Sequence, residues 1–282
     1  MHLPDQLNNI QNIELTHFFE LIFNVYGYDF RNYNKAHVKR RILNRINNLG
    51  LKSISELQHK VLHEEGFFDL ILRDLSINVT EMYREPGFYK SLRNEIIPIL
   101  RTYPYIKVWH AGCATGEEVY SFAILLQEEG LYDRSQIYAT DFNPIVLETA
   151  KKAIYPVSKI KEYTLNYQKS GGKNSFSDYY VARYESVIFN QSLKKNIVFA
   201  EHNLVTDGVF AEVNLIICRN VLIYFNKELQ NKVTGLFTES LIKGGYLGLG
   251  SKENLMFTDV FDQYQVVDAK EKIYKKTIFS SK

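Results

Sequence analysis

In the first ninety residues the apolar positions recur at helical spacing. Leu15, Phe18, Phe19, Ile22 and Tyr26 share one face, as do Val38, Ile42, Ile46 and Leu49, and Gly27 and Gly50 interrupt the pattern. Ser53-Ile-Ser-Glu56 has the order of a capping box and opens a third helix. A fourth apolar stretch over 67–77 runs on towards a break at Pro86-Gly87. After Tyr105 the period shortens, and β-rich runs alternate with helical ones. The pattern predicts strands over 105–110, 136–140, 197–200, 213–218, 246–250 and 272–279, and helices over 117–129, 144–153 and 227–242. Asn143 is a candidate cap, with Pro144 at the first helical position. Alternation of this kind predicts a largely parallel α/β sheet covered on both faces. It lapses between residues 163 and 196, where Gly171-Gly172 and an aromatic-rich stretch predict turns and strands of a small β insertion. The expected division is a helical domain over 1–88 and an α/β domain over 89–282 that carries the insertion.

Composition narrows the classes. With 282 residues, 45% of them hydrophobic, the chain can bury one large core and a smaller one. The first residues lack a basic start followed by an apolar run, and no apolar stretch is long enough to span a bilayer, so a cytoplasmic protein without membrane insertion is expected. Cys113 and Cys218 form no CxxC pair, which points away from a disulfide framework or a zinc cluster. His59 and His63 stand four apart, but HKVLHEE lacks the HExxH order, and the expectation is two exposed helix residues with no metal. Net charge is +2, yet residues 31–60 carry eight Lys or Arg against Glu56 alone, a local balance of +7. Such a segment is either a docking face for an acidic partner or an ordinary solvated helix face. Only Tyr33 accompanies its charges, which disfavours a nucleic-acid stacking platform.

In open α/β sheets ligands bind beyond the carboxyl ends of the strands. After the first strand stands His110-Ala-Gly-Cys-Ala-Thr-Gly-Glu-Glu118, where Gly112 and Gly116 either let backbone approach a ligand or serve a tight strand-to-helix turn. It has no GxGxxG, and Glu117 and Glu118 at a helix start disfavour a pyrophosphate while suiting the ammonium and sulfonium of S-adenosylmethionine. Asp141 ends the second strand and is placed to accept two ribose hydroxyls or to cap the next helix. Asn203 follows the third strand with the donor and acceptor pair that reads an adenine edge, and Arg219, Asn220 and Tyr224 follow the fourth.

The strings GCATGEEVYS, ATDFN and CRNVLIYF, with NVTEMYRE upstream, resemble the motif set of the CheR family of chemoreceptor glutamate O-methyltransferases, in the same order and over nearly the whole chain. The resemblance implies a class I (Rossmann-like) S-adenosylmethionine-dependent methyltransferase sheet, an N-terminal all-helical domain and an inserted β subdomain. Matched residue by residue, it implies cofactor contacts from Asn78, Thr80, Arg84, Glu118, Asp141, Asn203, Leu204, Arg219 and Asn220, with Gly112 added from the turn. It implies catalytic roles for Arg84 and Tyr224, which would hold the substrate carboxylate beside the methyl group. The reaction implied is methyl transfer from S-adenosylmethionine to glutamate carboxylates of chemoreceptors, leaving S-adenosylhomocysteine. Partners implied are the acidic methylation helices of receptors, with Lys39, Arg40, Arg41 and Arg45 as docking candidates, and in some relatives a receptor C-terminal tail held by the β insertion. Two departures stand out: Met82-Tyr83 where two phenylalanines are usual, and Gly250-Ser-Lys-Glu253 where Gly-His-Ser-Glu is common. Alternatives are a methyltransferase acting on another protein or on nucleic acid, and a non-catalytic adaptor that binds S-adenosylmethionine.

Overall fold

Periodic apolar faces in the N-terminal region become four helices, α1 (Leu3–Tyr26), α2 (Lys35–Asn48), α3 (Ile54–His63) and α4 (Phe67–Leu75). The computed structural model describes residues 3–76 and 79–277. The α2 helix is capped by Asn34, whose side chain accepts from Ala36 N–H at 3.1 Å, and it buries Val38, Ile42 and Ile46. Ser53 caps α3 by accepting from Glu56 N–H at 3.1 Å, while the Glu56 carboxylate reaches one residue further back than a capping box predicts, to Lys52 N–H at 2.8 Å. Among the described residues no helix is long and apolar enough to cross a membrane.

Two compact units result, Met1–Ile77 with Tyr224–Gln230, and Asn78–Ile223 with Asn231–Lys282. The division thus falls eleven residues before the expected 88/89 boundary, and a segment expected in the α/β domain belongs to the helical unit. Backbone pairing accounts for the second difference. Tyr33 and Phe225 form an antiparallel bridge with their rings edge-on at 5.0 Å, Asn34 N–H donates to Tyr224 O at 2.7 Å, and Asn226 N–H donates to Asn32 O at 2.9 Å.

The second unit opens with α5 (Pro86–Ser91), which passes through a wide π turn at Leu92–Ile96 into α6 (Ile97–Leu100). Then come β1 (Ile106–Ala111), α7 (Glu117–Glu128), β2 (Ser135–Asp141), α8 (Pro144–Lys152), β3 (Ile154–Pro156), α9 (Ile160–Lys169), β4 (Tyr180–Arg183) and β5 (Ser186–Phe189). The chain continues through β6 (Ile197–Glu201), β7 (Val213–Cys218), α10 (Lys227–Ser240), β8 (Leu241–Leu249), β9 (Tyr264–Asp268) and β10 (Ile273–Lys276). The main sheet has the order β6-β2-β1-β7-β8-β10-β9, parallel from β6 to β8 and antiparallel through β10 and β9. This is the expected parallel α/β sheet, and its inner strands are mostly apolar, as in the fully buried β7, where Asn214 is the one polar residue.

A second sheet, β3-β5-β4, makes the insertion. It starts at Ile154, before the expected 163, because β5 pairs with Ile154–Pro156, just past the Ala153 that ends α8. Gly171-Gly172 turns no hairpin. Gly171 (φ +81°) and Gly172 end α9, with N–H groups donating to Gln168 O and Tyr167 O at 3.2 and 3.1 Å, which is a Schellman closure.

Candidate active site

Chain order reverses between β1 and β7: β1 leads outward to β2 and β6, whereas β7 leads to β8. The carboxyl ends of these strands share one edge, with His110 level with Ile217 and Asp141 level with Glu201. A crevice at that reversal is where such sheets bind ligands. Gly112 (φ +77°) leaves β1 there, and a side chain at that position would stand 2.7 Å from Val221 Cγ2, so both its backbone angle and its neighbour demand glycine. Gly116 is crowded in the same way, its absent Cβ lying 2.9 Å from that of Ala150.

Asp141, at the end of β2, is buried; its Oδ2 accepts Ala114 N–H at 2.9 Å and its Oδ1 accepts Asn143 N–H at 3.0 Å. Asn143 itself caps α8 through Ile145 N–H at 2.9 Å, so the capping role is taken, and with a third amide, that of Phe142, also bonded to it, Asp141 keeps part of its acceptor capacity. Burial pushes the Asp141 carboxyl up to about 6 against the pull of these amides. Nearby in the turn, Glu117 is also buried, accepts the Thr115 hydroxyl at 2.6 Å, and is pushed up by burial to about 7.

Arg219, after β7, has a wholly buried side chain. Its guanidinium meets Glu118 and Glu85 at 2.7 Å each, donates to Arg84 O at 3.1 Å, and lies 4.2 Å from the centroid of the Phe88 ring. Burial raises both carboxyls, but Arg219, with Ser251 at Glu85, outweighs it and holds them below the usual range. Glu118, expected to face a cationic ligand, is therefore already paired with another predicted site residue. Asn220 follows in a left-handed conformation (φ +62°). Asn203 spends its side-chain oxygen on Val205 N–H at 3.0 Å, leaving its amide group for a ligand; Leu204 beside it is buried, and Thr80 is half-buried.

Arg84 is half-buried, and its Nη1 donates to the neutral Val79 carbonyl at 3.0 Å; among the described residues of its own unit no carboxylate lies within ion-pair distance. Tyr224 falls in the helical unit, its ring edge-on to His37 at 5.9 Å. Asn78 lies outside the described residues.

On α2, three of the four docking candidates are engaged within the helical unit. Arg45 grips Asp74 with two hydrogen bonds of 2.5 and 2.7 Å, and Arg41 donates to Asp74 O at 2.9 Å. Lys39 bridges Asn8 and Asn12 at 2.6 and 2.9 Å, whereas Arg40 is exposed. His59 and His63 are exposed on α3.

Two residues outside the predicted set organise this edge. Glu85 joins Arg219 to Ser251, and Glu253, buried, accepts four backbone N–H groups: Asn220 and Gly250 on Oε2 at 2.9 and 2.6 Å, Val221 and Leu222 on Oε1 at 2.8 and 2.7 Å. The signal for Glu253 was an acid following a glycine just past a predicted strand.

A buried acid with spare acceptor capacity, a glycine turn at the reversal and a free amide fit a ribose diol and an adenine edge. Two acids at the start of α7 fit no pyrophosphate. The edge is that of an α/β methyltransferase built for S-adenosylmethionine. Residues 78–273 match "CheR methyltransferase, SAM binding domain" and residues 13–76 match "CheR methyltransferase, all-alpha domain". The chain belongs to the CheR methyltransferase family, and its cofactor is S-adenosylmethionine. It is 49% identical over 266 residues to the Cher3 protein of Pseudomonas putida, covering 94% of this chain and 97% of that one. It is 29% identical over 261 residues to the chemotaxis protein methyltransferase of Borreliella burgdorferi (88% and 90% covered) and 28% identical over 232 residues to that of Listeria monocytogenes (82% and 86%).

Proposed function

We propose that this methyltransferase esterifies glutamate side chains of chemoreceptors at their cytoplasmic methylation helices. The observation that carries the reading is the contrast between two arginines on one sheet edge. Arg219 is neutralised by two carboxylates at ion-pair distance, while Arg84 is hydrogen-bonded to a carbonyl and among the described residues of its own unit has no carboxylate at ion-pair distance, Glu81 feeling its charge only from further off, which leaves its donors for an incoming carboxylate. The names of the Borreliella and Listeria relatives support a chemotaxis substrate.

When bound, S-adenosylmethionine supplies an electrophilic methyl group. Asp141, Gly112, Asn203 and Leu204 would hold it, with Thr80 and Asn220 beside them and the Arg219–Glu118 pair fixing the turn behind. A glutamate with an ordinary pKa of about 4.3 is already an anion at neutral pH, so no residue has to remove a proton. The work left to the protein is placement: Arg84 orients one carboxylate oxygen so that the other faces the methyl carbon. An over-tight ion pair would stabilise the ground state, so the value of Arg84 lies in geometry and in the exclusion of water. Arg40 is the docking cation the helical unit leaves exposed.

The test is transfer of labelled methyl from S-adenosylmethionine to receptor-bearing membranes, followed by mild base and capture of volatile methanol. Base-labile counts in a receptor-sized band support the ester, with Arg84→Ala lowering turnover by roughly a hundredfold while S-adenosylhomocysteine still binds. Base-stable counts would place the methyl group elsewhere and overturn the substrate.

A further inference from the structure

The loop that carries Thr80 and Arg84 lies against α9. Successive residues of the loop meet one face of that helix: the Glu81 carboxyl meets that of Glu162, the Met82 carbonyl accepts from Asn166 Nδ2 at 3.3 Å, and the Tyr83 ring packs edge-on to Tyr167 at 5.3 Å. Positions 162 and 166 stand one turn apart, so a single rigid element sets both contacts. The loop is also fixed on its other side, with Tyr83 N–H donating to Ser121 Oγ at 3.0 Å and Arg219 donating to Arg84 O at 3.1 Å. The contact between the two acids needs a proton, because carboxylates are acceptors only and Glu81 and Glu162 can be hydrogen-bonded only with a proton between them. Burial first, and then Glu162, pushes the Glu81 carboxyl up, while Arg84 and Lys159 pull it down. Tyr163, also on α9, faces Glu81 as well. Glu162 Oε2 lies 3.8 Å from Lys159 Nζ, which gives the negative charge of the pair a cation other than Arg84.

We propose that Glu162 is a positioning residue for the reaction: by sharing a proton with Glu81 it keeps that carboxyl from taking the place of the acceptor carboxylate on Arg84. Glu81 stands in the same loop as Arg84 and feels its charge, so a free Glu81 anion is a built-in competitor for the guanidinium. The shared proton removes that anion and leaves the donors of Arg84, beyond the one on Val79 O, to the acceptor. While the proton is in place Arg84 is available. As pH rises through the raised value of Glu81 the proton leaves, two anions face each other, and Glu81 turns to Arg84, so acceptor affinity falls towards alkaline pH. Protonation of Asp141 acts the other way, weakening the cofactor site as pH falls. The inference rests on the reading of Arg84 as the residue that orients the acceptor carboxylate.

The experiment compares the full-length wild type with Glu162→Ala, Glu81→Gln and the double variant. Initial rates of base-labile methyl transfer are followed against the concentration of a soluble receptor cytoplasmic fragment at several pH values. S-adenosylhomocysteine affinity is measured by calorimetry, and the Glu81 carboxyl carbon is followed by NMR, assigned from its absence in Glu81→Gln. Glu162→Ala is expected to raise the half-saturating acceptor concentration about fivefold, the worth of a partly exposed ion pair, at unchanged S-adenosylhomocysteine affinity. Adding Glu81→Gln should remove that loss, because no anion is left to compete, and should abolish the rise in half-saturation with pH that the wild type shows. The Glu81 carbon should titrate above the ordinary glutamate range in the wild type and lower in Glu162→Ala. A Glu162→Ala protein of wild-type half-saturation overturns the inference. So does a defect that Glu81→Gln fails to relieve, or one matched by weaker S-adenosylhomocysteine binding, either of which would make Glu162 a plain support of the loop. A wild-type Glu81 carbon that titrates in the ordinary range overturns it without reference to any acceptor. A wild type that forms no base-labile ester removes the acceptor reading, and with it this role for Glu162, and is told apart from the other failures by a Glu81 titration that stays raised.

Discussion

Replacing Glu253 with glutamine keeps the shape of the side chain and changes only what its two oxygens can accept. In the wild type each oxygen takes two backbone N–H groups, at 2.6–2.9 Å, from the turns after β7 and β8. The amide retains one oxygen for one pair and turns an NH2 towards the other pair, so two donors lose their acceptor and face a donor. Hydrogen bonds to a charged acceptor are worth about 1.5–3 kcal/mol each, which puts the gross loss at roughly 3–6 kcal/mol. Part of this returns: burial pushes the Glu253 carboxyl up in spite of its four amides, so removing the charge relieves desolvation. A net destabilisation of about 3 kcal/mol follows, a fall of roughly 6–12 °C in the Tm of the α/β unit. Glu253→Ala, which orphans all four donors, should cost more, and Ser251→Ala, at an exposed hydrogen bond, less than about 1 kcal/mol. Because Arg219 and Asn220 lead into the loosened turn, S-adenosylhomocysteine affinity should fall along with stability in Glu253→Gln. Guanidinium unfolding followed by tryptophan emission reports on the right unit, since the single tryptophan, Trp109, lies buried in β1. A midpoint within about 0.5 kcal/mol of wild type would show that water or backbone shifts satisfy these donors, and would refute the claim that Glu253 holds the edge together.

Three further outcomes are expected. Burial pushes the Asp141 carboxyl up to about 6, so if it accepts the ribose hydroxyls as proposed, S-adenosylhomocysteine affinity measured by calorimetry should fall as pH drops below that value and the carboxylate becomes protonated; Asp141→Asn should bind weakly with a flat profile, and a wild-type affinity constant down to about pH 5 would remove Asp141 from the site. Tyr83 is fully buried and its hydroxyl has no partner among the described residues, so Tyr83→Phe should stabilise by about 1 kcal/mol and raise Tm by roughly 2–4 °C with turnover intact; a lower Tm would reveal a hidden partner. On α2, Arg40→Glu should raise the receptor concentration needed at unchanged Tm, whereas Arg45→Glu should also destabilise the helical unit by ~1–2 kcal/mol through loss of the Asp74 pair; equal Tm values for the two variants would contradict the pairing.

What was legible in the sequence was whatever depends on near neighbours. The 213–218 strand needed only a β-rich run that is apolar apart from Asn214, and the start of α8 needed only Asn143-Pro144, so both emerged where they were expected. What was hidden depends on distant ones. Tyr224–Gln230 reads as the start of a helix, and nothing in those seven residues reveals that Phe225 pairs with Tyr33. The helix expected to run to 242 stops at Ser240, and β8 starts at Leu241, because pairing with β7 overrides the low strand propensity of Gly244-Gly245. Gly171-Gly172 misled for another reason: a hairpin turn and a Schellman closure both call for a left-handed glycine, and only the hydrogen bonds from Gly171 and Gly172 to Gln168 and Tyr167 tell them apart.

The same limit explains why the site residues were named more readily than their duties were divided. Arg84 and Arg219 are equally basic as letters, and each was assigned to the ligand. Their environments differ in a way that decides what each can do. Arg219 is fully buried between Glu85 and Glu118; removing either acid would strand a desolvated cation, so the guanidinium is committed to holding two loops together. Its bond to Arg84 O fixes the backbone of the second arginine. Arg84 in turn meets a carbonyl dipole, which restrains its direction without cancelling its charge. An oriented cation with no carboxylate bonded to it in its own unit suits an anionic acceptor, which would exchange water for Arg84 without breaking an ion pair there, although Glu81 already feels its charge. On that division, exchanging the two environments by Glu118→Gln should leave Arg219 as a second, poorly placed anion site: the unfolding midpoint should fall, and chloride or acetate should restore part of the loss in Glu118→Gln but not in the wild type. Equal salt response in the two proteins would mean that Arg219 is held by packing over Phe88 and not by charge.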